Sequence, residues 1–406
     1  MLSVEDALAA VLSRVSILPS RKVFLARALD CILDEDVSAD IDLPPFSKAL
    51  VDGYAVRSAD LLDGTTRLKL GEEILAGKTP SRPLAHGEAA AIMTGAPLPL
   101  GADAVVMVEK TRRAGDFVVF DDRDAAPGRN WLPRGREMSE GDVVLTRGQR
   151  LNAAKLGVLA SVGRAEVLVI PRPRVVVVTT GDELVDPSVM PGPGQIRNSN
   201  ATLLQALAVS AGVEVEVLPN APDVLEVLSR TLEKGLKFDV LMITGGVSAG
   251  NRDLVPEALE SLGVERIFHK VRLKPGKPLW FGVGPSRVSD QPGTLVFGLP
   301  GNPVSGVIGF LLFVRPALHQ LAGGASNSNP TYSVRLQEPF RHRGDRATYH
   351  PALCRRTGTE LPCVTLMDWA GSADLKTVAE ADGFAIFPAG DRDYVADEIV
   401  GFLPLG

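Results

Sequence analysis

Apolar and polar positions change their spacing several times along this chain of 406 residues, and each change marks a segment. Val4, Ala7, Leu8, Val11 and Leu12 fall at helical spacing behind Ser3, a capping residue type, with Asp6 three positions on. A short amphipathic helix is predicted over 3–15. A second helical stretch is expected over 22–29, followed by the extended DEDVSADIDLPPF, where Pro44 and Pro45 forbid helix. From Ala55 to about Asp142 the apolar runs shorten to AAAIMTG, AVVMVEK and DFVVF, separated by glycine, proline and aspartate, which reads as a β-rich module. Between positions 174 and 324, strand-like runs (VVVVTT, VEVEVLP, DVLMITGG, TLVFGLP) alternate with helix-like ones (TLLQALAVSAG, DVLEVLSRTLEKG, LVPEALESLG, VSGVIGFLLFVRPALHQLAG). Strands that are unbroken apolar runs predict a mostly parallel sheet covered on both faces. After a serine, asparagine and proline-rich linker at 325–333, short apolar runs between turns suggest a small closed or sandwiched β-domain.

The length allows two to four domains at roughly 100–200 residues each. Lysine and arginine total 43 against 49 acids, a formal charge of −6, so a polyanionic nucleic-acid partner is not expected. The 40 glycines and 30 prolines concentrate interest in the loops. Cys31, Cys354 and Cys363 are too few and too scattered for a disulfide framework or a four-cysteine zinc site, which suits a reducing cytoplasm. The first residues carry Glu5 and Asp6 and lack the pattern of a signal peptide. The longest apolar run, 306–314, falls short of the roughly 20 residues a membrane span needs, so neither membrane nor nucleic acid is expected as a partner.

In open α/β sheets ligands bind beyond the carboxyl ends of the strands. Three strand-following turns are unusual here: Gly181-Asp182-Glu183, then Gly245-Gly246 continuing through Ser248, Gly250 and Asp253, and Pro300-Gly301-Asn302-Pro303 continuing to Ser305. Each is expected to lie between strand and helix, where unpaired amides attract an anion. Asp182, Glu183 and Asp253 beside such a cradle would repel it unless a hard cation such as Mg²⁺ lies between. Alternatively, Asp253 caps the following helix and Glu183 is a solvated acid. The segment HKVRLKPGKPLWFG supplies Lys270, Arg272, Lys274 and Lys277. Strand alternation would place Lys270, Arg272 and Lys274 on one face as an anion clamp, or as ordinary surface charge. The run from Gly71 to Thr79 has one residue too many for a P-loop, and the histidines form no HExxH motif.

With TTGDEL, GQIRNSN, ITGGVSAGNRD, LKPGKPLWFG and FGLPGNPVSG in that order, the chain resembles the MoeA family of molybdopterin molybdenumtransferases, related to the E domain of gephyrin. DLPPF followed by Val51-Asp52-Gly53-Tyr54-Ala55-Val56, and Ile92-Met93-Thr94-Gly95-Ala96-Pro97 followed by GADAVVMVE, extend the likeness over nearly the whole chain. The resemblance implies a multidomain α/β and β fold. Its regions would be an elongated, helical and extended linker domain (1–44 and 143–173), a β-rich insertion (45–142), a mostly parallel α/β molybdopterin-binding domain (174–326) and a C-terminal β-domain (327–406). It implies insertion of molybdate at the dithiolene of adenylylated molybdopterin with loss of AMP, in the presence of Mg²⁺.

Carried over by motif position, Asp52, Thr94, Glu183, Asp239, Lys270 and Lys274 would be catalytic, and Asp182, Glu183 and Asp253 would hold the metal. Ligand binding would fall to the three turns, Lys277, Pro300, Pro303, Arg134, Glu137 and Ser372. The resemblance also implies a homodimer whose active sites are shared, with Asp52 and Thr94 meeting the other subunit's loops. Molybdopterin adenylyltransferase and recipient molybdoenzymes are the protein partners it suggests. Two departures stand out: Ser47-Lys48-Ala49-Leu50-Val51 replaces the family's DNSAM, and Arg134-Gly135-Arg136-Glu137 replaces Arg-Gly-Glu-Asp. A molybdopterin adenylyltransferase, which shares the α/β fold and the GGVS loop, and a non-catalytic pterin-binding protein are the competing readings.

Overall fold

The computed structural model describes residues 1–61, 66–121, 126–246, 254–286, 293–324, 331–356 and 361–405. Their backbone forms two compact units: residues 1–23, 30–34 and 168–406 make one, and residues 24–29 and 35–167 the other.

The first unit is built on a six-stranded sheet in the order Glu214–Val217, Arg174–Thr179, Val240–Thr244, Leu295–Leu299, Trp280–Val283, Glu265–His269. Its first four strands are parallel, while Trp280–Val283 runs antiparallel to both neighbours. The unbroken apolar runs have the expected cause. Val175 and Val177 face a core shared with Val304, Val307 and Leu318, whereas Val176 and Val178 face Leu228, Leu232 and Val255 on the other side. Register then places the site: Thr179 pairs with Thr244 and Thr244 with Leu299, so three loops leave the sheet at one level.

Pro303–Leu321 is a continuous helix of 19 residues whose middle turn, Phe310–Val314, is π-helical. That wide turn lies just before Pro316, which lacks an N–H and would crowd a regular turn. The helix is long and apolar enough to cross a membrane, but 83% of its most apolar stretch is buried inside the protein, as befits a core helix. Val4–Leu12 packs against its last turn, capped as expected by the Asp6 N–H donating to Ser3 Oγ at 3.0 Å. The helix predicted over 22–29 is absent. Arg21–Phe24 is a strand and Leu25–Arg27 a single 3₁₀ turn, because an isolated segment this short, with Val23 and Phe24, gains little from helix.

Beyond the linker, whose residues 325–330 lie outside the described set, five strands close into a barrel. Ala347–Arg355 pairs with both Cys363–Leu366 and Gly383–Phe387, and Tyr332–Leu336 and Ile399–Pro404 complete the ring around Val334, Leu336, Ala385, Phe387 and Phe402. Closure removes the exposed sheet edges. Leu273–Lys274 adds to this barrel beside Ala347 and Thr348, so the basic segment leaves one sheet after His269 and joins another.

The second unit contains a six-stranded sheet ordered Ala104–Met107, Gly53–Val56, Glu88–Ile92, Thr66–Ile74, Phe117–Phe120, Thr111–Ala114. Tyr54 and Val56 enter one core and Ala55 another, so both faces are covered.

Candidate functional site

The three loops that leave the parallel sheet together enclose a cavity of about 640 Å³. Thr180 and Glu183 come from the first, Gly245 and Gly246 from the second, and Pro300 to Pro303 from the third. Glycine is required at the second loop: a Cβ at Gly245 would lie 2.2 Å from the Thr180 carbonyl oxygen, and its φ is +95°. Among the described residues, the backbone amides of Gly245, Gly246, Gly301 and Asn302 donate to no other group of the chain. Four such donors on residues that line one cavity are a set that can cradle an anion.

The third loop is fastened to the barrel domain. Asn302 Nδ2 donates to Ser372 Oγ at 2.8 Å, and the Val304 N–H donates to the Ser372 carbonyl at 3.1 Å. Ala373 joins the cavity wall. Ser305 is buried at the start of the helix and does not line the cavity. The first loop differs from expectation in being followed by a two-stranded ladder, Leu184–Val185 with Ile196–Arg197, before the helix Ser199–Ser210 begins. Ile196, Arg197, Asn198 and Asn200 thereby line the cavity.

Its two acids diverge. Glu183 lines the cavity, its carboxylate folded back beside Gly181, whereas Asp182 Oδ1 accepts the Asp223 N–H at 3.0 Å and lies off the lining. Asp223 in turn accepts from the Thr180 hydroxyl at 2.8 Å. Asn198 Nδ2 donates to Thr179 Oγ1, which donates to Asn220, and Asn220 donates to the Gly181 carbonyl. This network holds the turn from behind. Sequence reading gave no role to Arg197, Asn198, Asn200 or Asp223. GQIRNSN was visible as a motif, but Asp223 follows a strand end whose neighbour is fixed by the sheet order alone.

Pro278 reaches the cavity; Lys270, Lys274 and Lys277 do not line it. Lys270 has φ +75° and ends the strand, although buried Val271 and Leu273 still alternate with exposed Arg272 and Lys274. Asp239 lies at the opposite, amino end of the sheet. Its carboxylate accepts the Arg174 N–H at 2.8 Å in a separate cavity of about 550 Å³, so the structure does not bring it to the glycine loops. Its motif position is one residue before a strand, and parallel strands carry such residues away from the carboxyl edge. Ser248, Gly250 and Asp253 lie outside the described residues.

In the other unit, Asp52 Oδ1 accepts both the N–H and the hydroxyl of Thr94 at 2.7 Å. These two donors, the N–H first, hold its carboxyl below the usual range and keep it ionised. Asp52 lines a cavity of about 420 Å³ with Glu72, Glu73 and Arg113. Arg134 and Glu137 lie elsewhere in this unit: Arg134 Nε donates to Asp42 at 2.6 Å, and Glu137 pairs with Lys48 at 3.2 Å. The Arg134 N–H donates to Ser47 Oγ at 3.3 Å, so the two departures noted in the sequence touch each other.

Residues 2–163 match the family described as "MoeA N-terminal region (domain I and II)", and residues 176–320 match "Probable molybdopterin binding domain". A molybdopterin molybdenumtransferase of Staphylococcus aureus is 33% identical over 98% of this chain and 94% of that protein. One of Staphylococcus epidermidis is 32% identical over the same shares. The chain belongs to the MoeA family. The crystal structure of a molybdopterin biosynthesis MoeA protein from Pyrococcus horikoshii aligns over 100% of this chain and 99% of that one, at 31% identity and a TM-score of 0.75. The cavity loops at Thr180–Glu183, Gly245–Gly246 and Pro300–Pro303 fall within the MoeA molybdopterin-binding match, and Asp52 and Thr94 within the MoeA N-terminal match.

Proposed function

We propose that this chain is a molybdopterin molybdenumtransferase of molybdenum cofactor biosynthesis, transferring molybdate to the dithiolene of adenylylated molybdopterin with release of AMP. The observation that carries the proposal is the cavity of about 640 Å³ with four uncommitted backbone amides, in the region matching a molybdopterin-binding family. A ligand bearing phosphates needs several fixed donors in a site that does not reorganise, and the amides of Gly245, Gly246, Gly301 and Asn302 are such donors. Arg197 adds positive charge at the rim, with Lys274 and Lys277 on the segment that presents Pro278. Molybdate, an oxyanion, would be attracted by the same lysines.

Among the described residues, no group of three or more His, Cys, Asp or Glu could hold a metal. Mg²⁺ is nevertheless commonly held by one or two carboxylates together with substrate phosphates, and Glu183 supplies one carboxylate at the cavity. Bound there, the ion would offset the charge of the phosphates. Asp182, committed to the Asp223 amide, serves the loop's shape. The proposed assembly is a cytoplasmic homodimer in which ionised Asp52 and its partner Thr94 complete the other subunit's cavity.

Incubating the protein with adenylylated molybdopterin, Mg²⁺ and molybdate tests the reading. AMP release that requires molybdate is expected. Binding without AMP release would support the non-catalytic alternative, and AMP transfer onto molybdopterin from ATP would support the adenylyltransferase.

A further inference from the structure

Asn200 stands in the first turn of Ser199–Ser210 and reaches across the cavity floor. Its Nδ2 donates to the Gly301 carbonyl at 2.7 Å and to Thr244 Oγ1 at 3.0 Å. The Thr244 hydroxyl, 2% exposed, donates to the Pro300 carbonyl at 3.2 Å. Two consecutive carbonyls of the third loop are thus drawn toward the end of the central strand by one side-chain pair.

In a planar trans peptide the carbonyl of one residue and the N–H of the next point in opposite directions. Pulling the Pro300 and Gly301 oxygens inward therefore turns the Gly301 and Asn302 N–H groups away from Thr244, and these are two of the four uncommitted donors. Asn200 Oδ1 is buried and has no hydrogen-bond partner among the described residues. Buried acceptors are normally satisfied, so this amide is aimed by its two donor bonds at the expense of its acceptor.

We infer that Asn200, acting with Thr244, is a positioning residue that sets the direction of the Gly301 and Asn302 amides toward a phosphate group. The inference rests on the phosphate-bearing ligand proposed above and assigns one phosphate to this pair of amides. Asn200 itself does not touch the reacting atoms. Its contribution reaches the ligand through the peptide planes of the loop.

AMP is the probe, with its affinity measured by calorimetry and the backbone amides followed by ¹⁵N-resolved NMR on the full chain. Wild-type protein is expected to show AMP-induced shifts at Gly245, Gly246, Gly301 and Asn302. In Asn200→Ala the Gly301 and Asn302 shifts should vanish while those of Gly245 and Gly246 persist, with affinity falling about 10- to 100-fold for two misdirected charge-assisted bonds. Thr244→Val, which keeps the side-chain shape, should give the same pattern in weaker form. Leu232→Ala, in the core on the opposite face of the sheet, supplies a comparable loss of stability and should leave affinity within about twofold. Affinity within twofold of wild type in Asn200→Ala, loss of all four shifts together, or an affinity loss in Leu232→Ala that matches the fall in melting temperature would overturn the inference. So would wild-type protein that binds no AMP. If wild-type protein binds AMP with the four shifts but releases none from adenylylated molybdopterin, the functional proposal fails and the positioning role stands.

Discussion

Replacing Gly245 with alanine should damage the fold and the site together, and replacing Gly301 should damage the site alone. At Gly245 the added Cβ would lie 2.2 Å from the Thr180 carbonyl oxygen and 3.2 Å from its carbon, with φ at +95°. The left-handed backbone costs a residue with a Cβ roughly 1–3 kcal/mol. Displacing Thr180 costs about 1–3 kcal/mol more, because the obstacle is main chain and cannot rotate aside. Thr180 is bound to the Thr244 carbonyl through its N–H and to Asp223 through its hydroxyl, so moving it disturbs both. Together these give about 2–6 kcal/mol, or a fall in melting temperature of roughly 4–24 °C at about 2–4 °C per kcal/mol for a unit of roughly this size. At Gly301 the nearest atom to the added Cβ is the Gly245 Cα at 3.9 Å, an ordinary contact. Gly301→Ala should keep its melting temperature within roughly 3 °C while the methyl group, beside two donor amides, lowers AMP affinity. Thermal melts and calorimetric titration of both variants check this. Equal melting temperatures for the two alanine variants would refute the reasoning, since the clash at Gly245 would then have been relieved at no cost.

Asp239→Ala should lose about 1–2 kcal/mol, because the Arg174 N–H loses its acceptor, with AMP affinity unchanged; a large affinity loss would return Asp239 to the site. His350 lies between the rings of Phe340 and Trp369, and burial, more than nearby Lys274, pushes its pKa below 6.5. The unfolded chain then takes up a proton that the folded one refuses, so stability is complete above about pH 6.5 and falls as pH drops through the folded value. His350→Phe should flatten that slope in urea titrations at pH 7.5 and 5.5, and an unchanged slope would exclude His350 as its source. Finally, Asp52→Ala and Glu183→Ala, each inactive alone, should regain up to about a quarter of wild-type activity after subunit exchange, since half of randomly formed dimers carry one intact site of two. No recovery after verified exchange would count against a shared site.

Local chemistry was enough to write the α/β part of this protein. Val175 to Val178 announce a strand buried on both faces, Ser3 caps the first helix, and glycine at 245 marks a left-handed turn, each through interactions spanning a few residues. The motif order from TTGDEL to FGLPGNPVSG was likewise legible, and it led to the family. Strand register and sheet order are different in kind. Thr179, Thr244 and Leu299 stand level because three strands pair in one phase, and that phase brings Asp223 and Asn200, far apart in the chain, behind the same cavity. It also carries Asp239 to the far end, where a motif match alone could not see it. Among the acids of TTGDEL, sequence treats Asp182 and Glu183 alike; packing separates them, because the Asp223 amide claims one carboxylate and leaves the other at the cavity. A hydrogen-bond partner supplied from a distant strand end is information that no local pattern contains, so the direction of a side chain is decided by the tertiary fold.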